Sequence, residues 1–198
     1  MKKLLISLLL ISAMLLCACG GNNSKETTAP DTTAKVTEKA DGKETVCDFS
    51  TVEVSGYVFA TVGETVKGHE DAAGADAYQL QKPEIASITG DKSLEIKSRG
   101  VTLVGYAKEG KTAAYVLCAF AEGEGPDRTA GEPQLFEAGD TFMHTAPIGG
   151  VEYLSSDSRV VDTGNAPMLS FKKSGYAVVT CANASRPFLY SFIVYDRD

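Results

Sequence analysis

Two histidines and one Ser-Ser-Asp triplet are the residues of this chain whose types could support catalysis. His69 and His144 stand 75 positions apart, and Ser155-Ser156-Asp157 follows the second histidine. Acyl-transfer catalysis needs serine, histidine and carboxylate groups within hydrogen-bond reach, but no histidine is near the triplet in sequence, so we interpret it as turn chemistry. A phosphate-binding loop and a His-Glu-x-x-His pattern are also absent from the sequence. We therefore predict no catalytic, cofactor or metal site, and a protein that is not an enzyme.

The N-terminal residues have the three zones of an export signal. Lys2 and Lys3 precede thirteen uncharged residues, Leu4 to Leu16, which suit a signal-peptide core and fall short of the about 20 apolar residues of a membrane span. The end of the zone, Leu16-Cys17-Ala18-Cys19, resembles the lipobox of bacterial lipoproteins. The resemblance implies a signal peptide over residues 1–18 and a thioether from Cys19 to diacylglycerol. The alternative is an ordinary secretory signal with an incidental cysteine.

Lipid on Cys19 would hold the mature chain on the extracytoplasmic face of the cell membrane, because two or more acyl chains anchor a protein stably. Residues 19–45 then form a polar segment. Between Asn22 and Thr45 it holds six Thr, four Lys and five acidic residues. Such a composition cannot offset its ordering entropy, so we predict a disordered tether, with a short helix around residues 34–40 as the alternative.

The rest of the chain shows the short alternating runs that are typical of β-strands. Val, Thr and Tyr alternate in runs such as Thr51–Val54 and Val101–Val104, which Gly, Pro, Asp and Ser interrupt. Runs at a spacing of about 8–12 residues predict an all-β sandwich fold.

This part of the chain also repeats itself. At an offset of 75 positions residues 77–121 align with residues 152–196 without a gap, and upstream the offset becomes 76, where residues 59–66 align with residues 135–142. We predict two tandem domains, residues 46–121 and 129–198, joined by a linker over residues 122–128. His69 and His144 would lie in the same surface loop of each domain, about 30 Å or more apart if the domains stand end to end, and could not share a metal ion.

Each repeat carries a set of motifs at matching positions. They are a Gly-Asp/Glu-Thr turn, an aromatic residue before the next turn, and a glycine that opens a strand of small and β-branched residues. The second repeat has Gly139-Asp140-Thr141, Tyr153-Leu154-Ser155-Ser156-Asp157 and Gly175 to Thr180, and the first has Gly63-Glu64-Thr65, Tyr78 and Gly100 to Leu103.

These motifs resemble those of group 2 bacterial immunoglobulin-like domains, the modules of invasin- and intimin-type surface proteins. Tyr78 and Tyr153 occupy the position of the family's usual tryptophan. The resemblance implies two tandem immunoglobulin-like β-sandwiches and adhesion-type roles, without choosing a ligand.

Three cysteines remain besides those of the signal region: Cys47, Cys118 and Cys181. Export permits disulfides, and the terminal strands of immunoglobulin-like sandwiches often run side by side. The resemblance therefore makes a Cys47–Cys118 bond feasible, with a stabilisation of about 4 kcal/mol. The alternative is three buried thiols that act as small apolar residues.

The chain is acidic, with 26 acidic and 19 basic residues and a net charge of −7. Removal of Lys2 and Lys3 with the signal peptide would leave 17 basic residues and a net charge of −9. This balance disfavours nucleic acid and anionic lipid surfaces as partners. Glu122, Glu124 and Asp127 could hold calcium between the domains, but the Asp-x-Asp-x-Asp-Gly pattern is absent, so we interpret them as solvated linker charge.

The sequence thus favours a lipid-anchored surface module that binds a protein or glycan, mediates adhesion or acts as a spacer. A second hypothesis is an envelope enzyme accessory or protease inhibitor that acts through the sandwich-end loop His69–Ala77. A third, a transporter's solute receptor, requires two larger α/β lobes around a cleft, and the strand pattern does not favour it.

Overall fold

The computed structural model describes residues 45–145, 151–181 and 188–198. These residues form β-strands and two short 3-10 helices, Glu70–Ala72 and Arg128–Ala130, without an α-helix. The prediction of an all-β fold is therefore confirmed. Within those ranges, no helix is both long enough and apolar enough to cross a membrane. The predicted signal peptide, Cys19 and nearly all of the predicted tether lie outside the described residues.

Seven strands form the first sandwich. They are β1 (Val54–Thr61), β2 (Thr65–Val66), β3 (Ala77–Leu80), β4 (Ala86–Ile88), β5 (Leu94–Ile96), β6 (Gly100–Lys108) and β7 (Lys111–Phe120). One sheet has the order β1-β7-β6-β3 and the other β2-β5-β4. β1 runs parallel to β7, and the other neighbours are antiparallel.

The second sandwich repeats this topology. Its strands are β8 (Gln134–Glu137), β9 (Thr141–Met143), β10 (Tyr153–Ser155), β11 (Val161–Asp162), β12 (Met168–Phe171), β13 (Gly175–Cys181) and β14 (Phe188–Tyr195). The sheets have the orders β10-β13-β14-β8 and β11-β12-β9, and β8 runs parallel to β14. β6 and β13 begin 75 positions apart, and β2 and β9 begin 76 positions apart. The tandem repeat read from the sequence is thus confirmed, including its change of offset.

The repeated motifs make the turns that link these strands. Gly63 and Gly139 have φ angles of 89° and 101°, as the predicted turns require. The acidic residue that follows each glycine accepts a backbone N–H: Glu64 Oε2 from Thr61 at 2.8 Å, and Asp140 Oδ2 from Glu137 at 2.9 Å. The motif therefore acts as a turn cap in both repeats.

Two members of the Ser-Ser-Asp triplet accept backbone hydrogen bonds, and Asp157 does so within the turn. Ser156 Oγ accepts the N–H of Val178 at 2.9 Å, and Asp157 Oδ1 accepts the N–H of Arg159 at 3.0 Å. Asp157 thereby satisfies a backbone donor within the turn, whereas Ser156 satisfies one in the neighbouring strand β13.

Each sandwich has its own apolar core. In the first, Leu94, Tyr115 and Leu117 are fully buried between the two sheets. In the second, the ring of Phe171 stacks on Phe136 with centroids 4.0 Å apart. Strand residues that point inward alternate with residues that point outward, as a half-buried strand requires.

The outward faces of the two large sheets are apolar as well. Val116, Cys118 and Phe120 of β7 belong to a third cluster, on the opposite side of β7 from the first core. That cluster contains Ile193 of β14, and Tyr176 of β13 packs against it. The sandwiches therefore pack face to face through β6, β7, β13 and β14, so the end-to-end condition on the predicted separation of His69 and His144 is not met.

Polar contacts reinforce this arrangement. Arg197, after β14, donates to the carbonyl oxygens of Phe49 at 3.0 Å and Val52 at 2.8 Å, ahead of β1. Lys82 Nζ lies 2.7 Å from Asp196 Oδ1. The two sandwiches are thus joined by a buried apolar surface with charged contacts at its edge.

A glycine at the start of β13 allows close packing within the second sandwich. A Cβ atom at Gly175 would lie 2.6 Å from Val160 Cγ2. We expect Gly175→Ala to lower the free energy of unfolding by about 1–3 kcal/mol through overpacking. Adding Val160→Ala removes the clashing methyl, so the double variant should lose less than the sum of the single losses.

Urea denaturation of the four proteins measures this coupling. Gly90→Ala is the matched control, because a Cβ atom there meets nothing within 4 Å. Additive losses at Gly175 and Val160 would contradict the close approach.

Candidate functional site

The junction between the sandwiches carries two clefts, and linker residues Glu124 and Gly125 line both of them. The first has a volume of about 810 Å³ and is lined by aromatic side chains of both sandwiches; we call it the aromatic cleft. Its aromatic residues are Tyr57, Phe59, Phe120 and Tyr176. The second, of about 760 Å³, is lined by cations of both sandwiches; we call it the basic cleft. Its cations are Lys82, Arg99, Arg159 and Lys173.

Strand alternation brings the rings of the aromatic cleft together. Tyr57 and Phe59 lie two positions apart on β1, with ring centroids 5.0 Å apart. Phe120 of β7 packs on Phe59 at 5.5 Å, and Tyr176 of β13 packs edge-on to Phe120 at 5.5 Å. The outer faces of three strands thus build one aromatic surface from both sandwiches.

The two tyrosine hydroxyls of this cleft form hydrogen bonds with residues of the segment between β7 and β8. Tyr57 Oη donates to a carboxylate oxygen of Glu132, and Tyr176 Oη accepts the N–H of Asp127 at 3.0 Å. Burial, and then the Glu132 carboxylate, raises the pKa of Tyr57 to about 12. Burial also raises the pKa of Tyr176. Both rings therefore remain neutral phenols at physiological pH.

The basic cleft combines cations from each sandwich with carboxylates that face them. Arg159 holds Asp157 in a two-pronged contact, with N···O distances of 3.0 and 2.8 Å. Arg99, from the other sandwich, lies 3.5 Å from Glu124. The hydrogen bonds from Arg159 lower the pKa of Asp157, and the charge of Arg99 contributes to the same shift. Both arginines of the cleft are thus paired with carboxylate side chains of the protein itself.

The two histidines are packed against tyrosines. His69 caps the helix Glu70–Ala72, with Nδ1 3.3 Å from the N–H of Asp71, and its ring lies 5.9 Å from that of Tyr115. His144 lies between Tyr153 Oη at 2.9 Å and Tyr190 Oη at 3.3 Å. Each histidine follows the second strand of its own sandwich, and each is partly buried. The 75-residue offset relates Tyr115 to Tyr190 as well as His69 to His144. This shared offset was the feature of the sequence that could have predicted the histidine–tyrosine contacts.

The environment of His144 makes stability depend on pH. Burial lowers the pKa of His144 below its usual value of 6.5. The unfolded chain therefore binds this proton more readily, so stability is present above about pH 6.5 and falls as the pH drops through that range. We expect the unfolding free energy to decline from about pH 7.5 to about pH 5.5, and His144→Gln to reduce the decline. Urea denaturation at each pH measures it, and equal slopes in the two proteins would contradict the assignment.

Within the described part of the chain, no group of three or more His, Cys, Asp or Glu side chains is arranged to hold a metal ion. The linker acids have other partners there. Asp127 Oδ1 accepts the N–H of Thr129 at 2.9 Å, and Glu124 pairs with Arg99. These contacts favour linker charge over calcium ligation, as the sequence did.

The three cysteines of the domains are buried free thiols. Cys47 precedes β1 and lies over Gly105, in a cluster with Ala114. Cys118 lies four residues after Ala114 on β7, which places it about 13 Å from Ala114 and its neighbour Cys47 at the usual rise of a strand. Bonded cysteines have Cα atoms within about 7 Å of each other. The Cys47–Cys118 bond suggested by the resemblance is therefore not formed. Burial raises the pKa of Cys47 to about 11, which keeps its thiol protonated.

The loop His69–Ala77 is folded onto the first core. Ala72 and Ala75 are fully buried. Tyr78 Oη donates to the carbonyl of Ala72, and Lys92 Nζ donates to that of Ala75 at 2.7 Å. An inhibitory loop needs a projecting segment, so this placement does not favour the inhibitor hypothesis.

No protein-family model matches the sequence. No curated protein matches it either.

The solved structures that are similar to this chain include proteins with tandem domains. Domains 4 and 5 of the S-layer protein SbsC are 13% identical, with a TM-score of 0.25, over 62% of this chain and 72% of that chain. A tandem pair of titin Ig domains is 10% identical, with a TM-score of 0.21, over 73% of this chain and 95% of that one. The N-terminal four Ig domains of Dscam1 are 8% identical, with a TM-score of 0.24, over 71% and 50%. This chain spans 20% of a longer SbsC structure. The strand order and register described above define the class: a protein of two tandem immunoglobulin-like β-sandwiches.

Proposed function

We propose that this protein is a lipid-anchored envelope protein whose paired sandwiches form one extracytoplasmic binding module. The observation that carries the proposal is the junction, where clefts of about 810 and 760 Å³ are lined by residues of both sandwiches. Volumes of this size are typical of ligand sites in proteins. The motifs that resemble those of group 2 bacterial immunoglobulin-like domains support an adhesion-type role. They do not identify the ligand, which we expect to bind at the junction.

The packing of the sandwiches supports binding at this place. Leu103, Val116 and Ile193 are fully buried in the shared interface, so the two walls of each cleft are held at a fixed separation. A site built on strands that are already in place loses little conformational entropy when a ligand binds. Pairing therefore gives the module a surface that neither sandwich has alone.

Binding at the junction is tested with the mature chain carrying Cys19→Ser, immobilised and exposed to cell-envelope extracts and a glycan array. We expect retention of a ligand that Tyr176→Ala combined with Arg99→Gln abolishes. Met143→Gln is the control, because Met143 is 58% exposed and lies outside both clefts. Equal retention by the junction variant would reject the junction as the binding surface.

The anchor has its own test. Cys19→Ser removes the thiol that would form the thioether, so the protein should be released to the medium or the precursor should stay uncut. Fractionation and the mass of the N-terminal fragment measure this outcome, with Cys17→Ser as the matched control because Leu16 before it is too bulky for the peptidase. Unchanged membrane retention in Cys19→Ser would reject the lipid anchor.

A further inference from the structure

The charge of the basic cleft is opposite to that of the chain. Its lining contains four cations, Lys82, Arg99, Arg159 and Lys173, and two carboxylates, Glu124 and Asp157. Even with Asp196, which pairs with Lys82, cations outnumber carboxylates here, whereas the whole chain has a net charge of −7. Two of the cations come from each sandwich, so the face-to-face packing alone creates this positive region. A concave region of one sign raises the local concentration of ligands of the opposite sign.

The ion pairs in the cleft can be exchanged for contacts with a ligand. The Arg99 and Glu124 side chains are 65% and 49% exposed, and Arg159 is 82% exposed while its partner Asp157 is 22% exposed. Exposed pairs of this kind contribute little to stability. Among the described residues, Lys173 has no carboxylate within ion-pair distance. The arginine guanidinium groups match the planar geometry of a carboxylate, which each can bind with two parallel hydrogen bonds.

The remaining lining suits a hydroxyl-rich ring. The ring of Tyr176 is partly exposed and lines both clefts. The hydroxyl-bearing residues Ser156 and Ser174 belong to the same lining. Aromatic faces pack against the C–H face of sugars, and hydroxyl and backbone groups pair with sugar hydroxyls.

We propose that the basic cleft binds an acidic saccharide, with Arg99 and Arg159 holding its carboxylates from opposite sandwiches and Tyr176 packing against the sugar ring. This inference rests on the proposed function and names the ligand class of the same junction. The carboxylates of Asp157 and Glu124 occupy the arginines in the free protein, and the ligand's carboxylates replace them. Binding weakens as salt rises, because the contacts are between partly exposed charges.

Calorimetric titration of the mature Cys19→Ser chain tests the ligand class. The probes are trigalacturonic acid, the neutral maltotriose and a triglutamate peptide. We expect binding of trigalacturonic acid, none of maltotriose, and at least about tenfold weaker binding of triglutamate, because the peptide lacks the ring contacts. Equal binding of the peptide would overturn the saccharide class in favour of charge alone, and no binding of trigalacturonic acid would overturn the inference.

Paired variants locate the site. Arg99→Gln and Arg159→Gln should each weaken trigalacturonic acid binding by about tenfold or more, as loss of a charge-assisted contact does. Arg128→Gln is the matched control, because it removes an exposed arginine that lines only the aromatic cleft. Lys173→Gln, which breaks no ion pair of the described residues, should weaken binding without changing the melting temperature. Unchanged affinity in these three cleft variants would overturn the site.

The outcomes also separate this inference from the proposed function. If the chain retains an envelope ligand through the junction yet ignores trigalacturonic acid, the ligand class is wrong and the binding module stands. If junction variants change neither readout, both proposals fail.

Discussion

Ile193→Asp is expected to separate the two sandwiches. Ile193 is fully buried in the cluster shared by β6, β7 and β14, and an unpaired carboxylate there would cost about 4 kcal/mol or more while the interface stays closed. Opening the interface returns that carboxylate to water, because Ile193 points away from the second core. The expected result is therefore two folded sandwiches that no longer pack together.

Small-angle scattering and calorimetry measure this result. The variant should have a larger radius of gyration than the wild type, and its thermal unfolding should divide into two transitions. Leu154→Asp is the control, because it places the same charge on a strand of the same sandwich where the side chain is 50% exposed. A variant that unfolds completely, or one that keeps the wild-type radius, would contradict an interface formed by two independent cores.

Phe171→Ala is expected to lower the free energy of unfolding by about 4 kcal/mol. The Phe171 ring is 1% exposed, stacks on Phe136 at 4.0 Å and lies 5.3 Å from Phe192. Its removal leaves a cavity among rings that are fixed by the strands around them. The surrounding sheet cannot close that space, so the cost includes both transfer and cavity contributions.

Urea denaturation of the second sandwich measures this loss. Phe171→Ile is the matched variant, because the first repeat has Ile96 at the equivalent position. It should lose clearly less than Phe171→Ala, since most of the apolar volume remains. A loss below about 1 kcal/mol for Phe171→Ala would show that the ring does not support the core.

The strands and turns were predictable because their signals are local. Gly139-Asp140-Thr141 specifies a turn through the backbone freedom of glycine and the short carboxylate of Asp140, and both act within three residues. The repeat was predictable for a related reason: Gly175 recurs at the offset of Gly100, and Leu169 at that of Leu94, because the same strand register must be built twice. The glycine that opens β13 was also identified, because it belongs to the repeated motif. The structure gives the reason for it: only a residue without a side chain fits beside Val160.

The candidate site was not predictable from the sequence. Lys82, Arg99, Arg159 and Lys173 are far apart in the chain, and each alone is typical of a solvated surface position. Only the linker acids drew attention. They were considered as calcium ligands and interpreted as solvated charge, and the structure pairs Glu124 with Arg99. The feasible Cys47–Cys118 bond failed for a similar reason, because the path of the chain before β1 decides which end of β7 Cys47 reaches.

By itself, the sequence determined an all-β chain of two repeated sandwiches, each with its turns and its core. Their assembly was decided only in three dimensions. The run that ends β7 is apolar at every position from Ala113 to Phe120, which shows that both faces are covered but does not show what covers the outer one. The second sandwich covers it, since packing two apolar sheet faces together removes both from water. That choice also sets the clefts, because their walls belong to different sandwiches and meet only when the sheets pack.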